Sequence, residues 1–229
     1  MDKKNILIIS PHPDDMEIGM GGTVGKLISQ GFNIVSFVVS DGRKSTSVSG
    51  LGEDEIAQIR EGEAQEAATV LGITDMVLLS LHDLKSLEYQ KEMKKKLEDV
   101  ISQFRPVEVY STHPKIDKHP THQAASRLLL EILDKRHKGK LFVPGKIWCY
   151  EVWTPFEVYD RIEDISDYID GKTAAIEAHK SQIEYKNYTE GIIGLNRYRA
   201  VFNNTSGITH VKYAEVFIEL SLENSRVGS

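Results

Sequence analysis

The chain has 229 residues, 40% of them hydrophobic and 27% charged, the balance of a globular protein with a core of its own. A formal net charge of −6 excludes the broad basic surface of a general nucleic-acid binder, and a single cysteine, Cys149, excludes an intramolecular disulfide or a cysteine-rich zinc site. No apolar run approaches the roughly 20 residues that span a bilayer, and the first residues carry too short an apolar stretch for a signal peptide, so the expectation is a soluble, cytoplasmic protein with no membrane and no nucleic-acid partner.

The elements alternate. "NILIIS" (5–10) is short, apolar and β-branched, and predicts a strand buried on both faces. "GGTVGKLISQG" predicts a helix ended by Gly31, and "NIVSFVVS" (33–40) a second buried strand. The Gly- and Ser-rich stretch 42–52 reads as a loop, and at this edge of a sheet it fits a flap over a ligand. A helix follows over 53–71, with Gly72 as its C-cap, then a strand over 75–80. The charged run 88–104 is an amphipathic helix with Leu97, Val100, Ile101 and Phe104 inward and its lysines in solvent. Beyond it come a strand over 107–112, a helix from about Thr121, strands over 146–152 and 213–220, and between these a helix beginning near Asp170. Strands and helices in alternation predict an α/β fold: one domain over 1–229, a Rossmann-like three-layer α/β/α sandwich with a mostly parallel sheet and strand order 3-2-1-4-5 at its heart.

The first loop, "SPHPDDMEIGMGGT" (10–23), is not a nucleotide cradle. Gly19 and Gly21 supply half of a G-x-G-x-x-G pattern, but Val24 occupies the last position and "PHPDDMEI" separates the glycines from the strand. The loop instead concentrates His12, Asp14, Asp15 and Glu17. A second loop, "STHPKIDKHPTHQAA" (111–125), follows the fourth strand as the first follows strand one, and holds His113, Asp117, His119 and His122. In a 3-2-1-4-5 sheet, strands one and four are neighbours at the topological switch point, where ligands bind beyond the carboxyl ends. The two loops then face each other across that crevice.

Imidazole nitrogen and carboxylate oxygen are the donors a divalent metal takes at a three-ligand catalytic site. His12 and Asp15 are three apart and would point the same way on a helical turn, and His122 is positioned to supply the third ligand. Asp14 and His119 remain unligated and close, one as base and the other as electrophile. Standing alone, an Asp-Asp pair at a helix start reads as an N-cap, His113 as a loop residue, and His119 and His122 as surface histidines at a helix N-terminus. Their joint occurrence at two adjacent strand ends is what favours a metal site. Two histidines and a carboxylate also make the facial triad of Fe(II) oxygenases, but the α/β scaffold and the extra Asp14 fit hydrolysis better.

"PHPDDMEIGMGGT" resembles the signature of the PIG-L/LmbE family of N-acetylglucosaminyl de-N-acetylases, and "DKHPTH" resembles its second motif, Asp-x-His-Pro-Asp-His. The likeness extends to Arg60, Glu63 and Ala64, to "HKSQ" (179–182) and to "YAEVF" in the last strand. The resemblance implies an LmbE-like fold and a zinc-dependent hydrolase that removes the N-acetyl group from an N-acetylglucosamine-type amino sugar or its conjugate, a small-molecule substrate. Fe2+, Mn2+ or Co2+ would fit the same donors. By position it implies His12, Asp15 and His122 as metal ligands, Asp14 as general base, His119 as the residue that polarises the carbonyl, and Arg60 as a substrate-binding residue. It also implies a homo-oligomer, a trimer or hexamer. Hydrolysis of another amide conjugate, or metal-dependent sugar binding without catalysis, is the alternative. The chain departs from the pattern at Thr121, where the family usually has Asp. That carboxylate supports the neighbouring histidine, so the protonation of His119 rests on whether Asp117 or Glu17 takes its place.

Overall fold

Asn5–Ser10 is β1, and every residue after Asn5 in it is buried. It pairs in parallel with β2 (Asn33–Ser40) on one side and β4 (Glu108–Ser111) on the other. Its side chains alternate between two cores. Ile6 and Ile8 pack with Met16, Val24, Ala67 and Ile176, whereas Leu7 and Ile9 pack with Leu97, Ile101, Leu129 and Leu133. A strand covered on both faces has no polar side to show, which is why it reads as an unbroken apolar run. The computed structural model describes residues 3–45, 50–202 and 210–222.

Among the described residues, seven strands form one sheet in the order β3-β2-β1-β4-β5-β7-β6. β3 (Asp75–Leu81) and β5 (Lys146–Tyr150) complete the parallel 3-2-1-4-5 half, as the alternation predicted. β7 (Ala214–Leu220) adds antiparallel to β5, and β6 (Arg161–Asp164) antiparallel to β7. Helices α1 (Asp15–Ser29), α2 (Glu53–Leu71) and α5 (Ile169–Glu177) cover one face, with α7 (Tyr188–Phe202) packed on α5 and β7. Helices α3 (Leu87–Phe104) and α4 (Pro120–Lys138) cover the other. The four-residue α6 (Lys180–Ile183) lies beside α2. Among the described residues, no helix is long and apolar enough to cross a membrane.

Three differences from the sequence reading have physical causes. Helix α1 starts at Asp15, not at Gly21, because its glycines are packing positions rather than a start signal. A methyl on Gly19 would stand 2.7 Å from the carbonyl oxygen of Glu151 and 2.9 Å from Cε2 of Tyr150, so only glycine lets the helix lie this close to β5. Strand β6 is four residues with exposed positions in alternation, too short to carry a periodic signal. Helix α7 contains Gly191 and Gly194, which depress local helix propensity, and it is held instead by burial of Ile192, Asn196, Arg199 and Ala200. Residues 46–49 of the Gly/Ser loop, read as a flap, lie outside the described residues.

Candidate metal centre and its cavity

The crevice beyond β1 and β4 forms because the chain leaves β1 toward one face, through α1, and β4 toward the other, through α4. The turn after β1 is pinned by local hydrogen bonds. Ser10 Oγ donates to the carbonyl of His12 at 2.7 Å and accepts from the amide of Met16 at 3.1 Å. Asp15 Oδ2 accepts from the backbone amide of His12 at 2.7 Å. Tyr150, reaching from β5, donates to the carbonyl of Ile9 at 2.7 Å.

This turn brings His12 and Asp15 against His122 in the first turn of α4. Three donor atoms form a nearly equilateral triangle: His12 Nδ1 to Asp15 Oδ2 is 3.0 Å, His12 Nδ1 to His122 Nε2 is 3.0 Å, and His122 Nε2 to Asp15 Oδ2 is 3.1 Å. Bonds of about 2.0–2.2 Å to a tetrahedral ion would set donors about 3.3–3.6 Å apart, so the set fits a divalent metal after a shift of a few tenths of an ångström. The second oxygen of Asp15, Oδ1, is buried with no hydrogen-bond partner, an acceptor left open toward a ligand. His122 Nδ1 faces Asp117 Oδ2 at 2.9 Å, the carboxylate–imidazole arrangement that fixes the tautomer of a ligating histidine.

The electrostatics favour positive charge at this point. Burial alone would raise the Asp15 carboxyl, but His122 and His12 hold it well below the usual carboxylate range. Burial would lower the His122 imidazole, yet Asp15 and Asp117 push it up to about 10. His119 behaves in the opposite way: burial, with His12 and His122 beside it, lowers its imidazole to about 4. Its ring stands edge-on to His12, centroids 4.7 Å apart, and the three imidazoles each offer a nitrogen within 4.8 Å of the others. His119 makes none of the 3 Å contacts of the triangle, so Asp15, not His119, completes the tight donor set.

Neither carboxylate proposed to replace the one missing at Thr121 supports the His119 ring. Asp117 serves the ring of His122 and, through Oδ1, the backbone amide of His119 at 2.8 Å. Glu17 is fully buried 3.8 Å from Nε2 of the equally buried His179. Burial raises the Glu17 carboxyl, and although burial opposes it, Glu17 raises the His179 imidazole. His119 Nδ1 is buried without a partner, which leaves Nε2 as the nitrogen that can meet a ligand. His113 is a turn residue, its Nδ1 accepting the backbone amides of Lys115 and Ile116 at 3.1 and 3.0 Å.

Asp14 sits at the N-cap position of α1, but its side chain makes no capping bond. Its oxygens are held from outside the helix. Oδ1 accepts from Arg60 Nη2 at 2.9 Å and Oδ2 from the Tyr188 hydroxyl at 3.0 Å. Burial raises the Tyr188 phenol, and the adjacent Asp14 raises it further, so the hydroxyl is a fixed donor. Arg60 is oriented in turn by the carbonyl of Gly42 at 3.3 Å. Gly42 has φ +69°, and a methyl there would stand 2.6 Å from Cζ of Arg60. Gly42→Ala is therefore expected to cost about 1–2 kcal/mol from the left-handed backbone alone, with displacement of Arg60 added. A denaturation midpoint unchanged from wild type would contradict this.

These groups open into a cavity of about 420 Å3 lined by His12, Asp14, Arg60, His119, Thr121 and Trp153. Its far wall, from the loops after β2 and β3, carries charge already paired: Arg43 with Asp41 and Asp54, Lys44 with Asp83. Trp153 is 44% exposed and packs edge-on against Tyr188, ring centroids 5.6 Å apart. All six residues singled out from the sequence, His12, Asp14, Asp15, Arg60, His119 and His122, thus converge on one crevice. Sequence reasoning missed Tyr188 and Trp153, which lie in segments without a motif.

Comparison with known proteins fits this geometry. Residues 7–133, more than half of the chain, match the PIG-L family model, described as GlcNAc-PI de-N-acetylase. A diacetylchitobiose deacetylase from Thermococcus kodakarensis is 31% identical over 79% of this chain and 71% of its own. The structure of N,N'-diacetylchitobiose deacetylase from Pyrococcus horikoshii in complex with an inhibitor superposes with a TM-score of 0.82 at 26% identity, covering 99% of this chain and 87% of that one. The fold, at 22% identity, is also that of GalB, a 4-carboxy-2-hydroxymuconate hydratase from Pseudomonas putida KT2440, with a TM-score of 0.81 over 95% of this chain and 96% of that one. The matched segment contains both loops of the crevice, and the chain belongs to the PIG-L family.

Proposed function

We propose that this protein, one domain over its 229 residues, is a zinc-dependent hydrolase that removes the N-acetyl group from an N-acetylglucosamine-type amino sugar or its conjugate. The observation that carries the reading is the donor triangle of His12, Asp15 and His122, at 3.0–3.1 Å sides, with a clamped and otherwise unused carboxylate, Asp14, next to it in sequence. The substrate class comes from the deacetylases the chain is similar to.

His12, Asp15 and His122 would hold the metal. When bound, a divalent ion supplies an activated water near neutral pH and polarises the amide carbonyl. Asp14, oriented by Arg60 and Tyr188, takes a proton from the attacking water as the water oxygen bonds to the acetyl carbon. Nε2 of His119, a neutral imidazole, donates to the carbonyl oxygen as negative charge develops there. Asp14 then returns its proton to the amide nitrogen as the C–N bond breaks, giving the free amine and acetic acid, which releases its remaining proton to solvent as acetate. Arg60 lies at the cavity wall beside the base, within reach of substrate as well as of Asp14.

The test is acetate release from a panel of N-acetylglucosamine conjugates by protein purified without chelator. Release that stops on chelation and returns with Zn2+ supports the reading. Bound zinc without acetate from any conjugate, and with hydration of an unsaturated acid instead, would replace it with the chemistry named for GalB. Asp117→Asn is expected to weaken zinc binding by about 10–100-fold, because the group that orients the His122 ring loses its charge. Competition against a chelating dye measures this.

A further inference from the structure

Two conspicuous parts of the sequence have no place in the chemistry above: the glycines of "GMGGT" and the glutamate of "YAEVF". The structure joins them. Helix α1 is not continuous; at Met20 the backbone leaves helical angles, with φ −148° and ψ 19°. The break strands backbone groups on both sides, and one buried ion pair satisfies them. Lys172, from α5, donates through Nζ to the carbonyl of Ile18 at 2.8 Å and to Glu215 Oε1 at 2.6 Å. Glu215, from β7, accepts the amide of Gly22 at 3.0 Å on Oε1 and that of Thr23 at 2.7 Å on Oε2. The ammonium thus ends the first turn of α1, and the carboxylate begins the second segment, each at the pole its charge suits.

Both side chains have no solvent exposure. The packing around the break is close at both glycines. A methyl on Gly21 would lie 3.2 Å from Cγ of Lys172, and one on Gly22 would lie 2.7 Å from Cβ of Ile165. The segment ahead of the break contains Asp15, follows Asp14 directly, and ends where Lys172 grips Ile18. A continuous helix would tie the direction of this first turn to the axis of the remaining turns. Breaking it lets the turn be set independently.

We propose that Lys172 and Glu215 are a positioning pair: they divide α1 and hold its first turn so that Asp15 Oδ2 completes the triangle with His12 and His122. The inference rests on the reading of those three residues as metal ligands. It differs from a purely structural role in what it moves. Replacing the pair leaves the Ile18 carbonyl and one amide of the second segment without partners and lowers stability in either case, whereas a positioning role also changes metal affinity and metal geometry.

The experiment compares wild type with the double variant Lys172→Met/Glu215→Gln in three measurements: melting temperature, Zn2+ affinity by dye competition, and the visible absorption of the Co2+-loaded protein. The expected result is a folded variant with Zn2+ affinity at least about 10-fold weaker, as when a group orienting a ligand is lost, and with altered Co2+ bands. Glu215→Asp keeps the charge but draws the carboxylate back from the amides of Gly22 and Thr23. It is expected to show the same two changes, and it carries the test if the double variant does not fold. Wild-type Zn2+ affinity and Co2+ bands in a folded variant, even one with a lower melting temperature, would overturn the inference and assign the pair to stability alone. Failure of the wild-type protein itself to bind Zn2+ would overturn the metal-site reading first, and this inference with it.

Discussion

His122→Ala is expected to leave the protein without stoichiometric metal and without measurable deacetylase activity. The apparent binding free energy of a four-ligand zinc site is about 10–16 kcal/mol, so one ligand accounts for about 3 kcal/mol, or about 10²-fold in affinity. The loss here is larger than that share. His122 is wholly buried between Asp15 and Asp117, at 3.1 and 2.9 Å, and its removal takes from both carboxylates the imidazole that lies between them, leaving His12 as the histidine against Asp15. Breaking a buried pair in this way costs about 3–5 kcal/mol of stability, which a lowered melting temperature would register. His122→Gln, which keeps a polar side chain at the position, separates the two effects: it should restore part of the melting temperature and none of the metal stoichiometry. Metal content measured by mass spectrometry at one ion per chain in the alanine variant, with wild-type turnover, would remove His122 from the ligand set.

How much of this was legible beforehand divides along a physical line. The parallel half of the sheet was readable because strands covered on both faces must be apolar throughout, and β1 and β2 are. With the 3-2-1-4-5 order, the meeting of His12 with His122 followed, although 110 positions separate them. What escaped were features whose cause is tertiary. Nothing in "GMGGT" says that the helix has already begun at Asp15, because the break at Met20 is stabilised by Lys172 and Glu215, far away in the chain. Tyr188 opens a glycine-bearing helix and meets Asp14 across 174 positions, a contact no local pattern encodes. Trp153 lies in a loop anchored by the buried pair of Glu151 and Arg199, whose Nη2 also donates to the carbonyl of Phe156 at 2.8 Å. The N-cap reading of the Asp-Asp pair failed for a similar reason: Asp14 occupies the cap position, but Arg60 and Tyr188 compete for its oxygens more effectively than the helix amides do.

Asp14→Asn separates binding from turnover, and its expected outcome is full metal content with turnover lowered by about 10²–10⁴-fold. The amide matches the carboxylate in size, and none of the three donor atoms of the triangle belongs to residue 14. Its carbonyl oxygen can keep the Arg60 bond and its NH2 can donate to the Tyr188 hydroxyl, which then serves as acceptor in place of donor, so both contacts of the side chain are retained. What the amide lacks is basicity: it cannot take a proton from water at neutral pH, nor hold one for the leaving nitrogen. Tyr188→Phe is a graded control. It removes one of two hydrogen bonds but leaves the carboxylate in place, so its loss should be smaller, about 10-fold in kcat, from a base less well oriented. If Tyr188 acts only through Asp14, the double variant should be no slower than Asp14→Asn alone, since residues that work as a unit are not additive. A metal-loaded Asp14→Asn protein turning over at the wild-type rate would exclude Asp14 as the base. A double variant slower than Asp14→Asn by the full Tyr188 factor would instead give the phenol a contact of its own with substrate, in the same cavity where Trp153 packs against it.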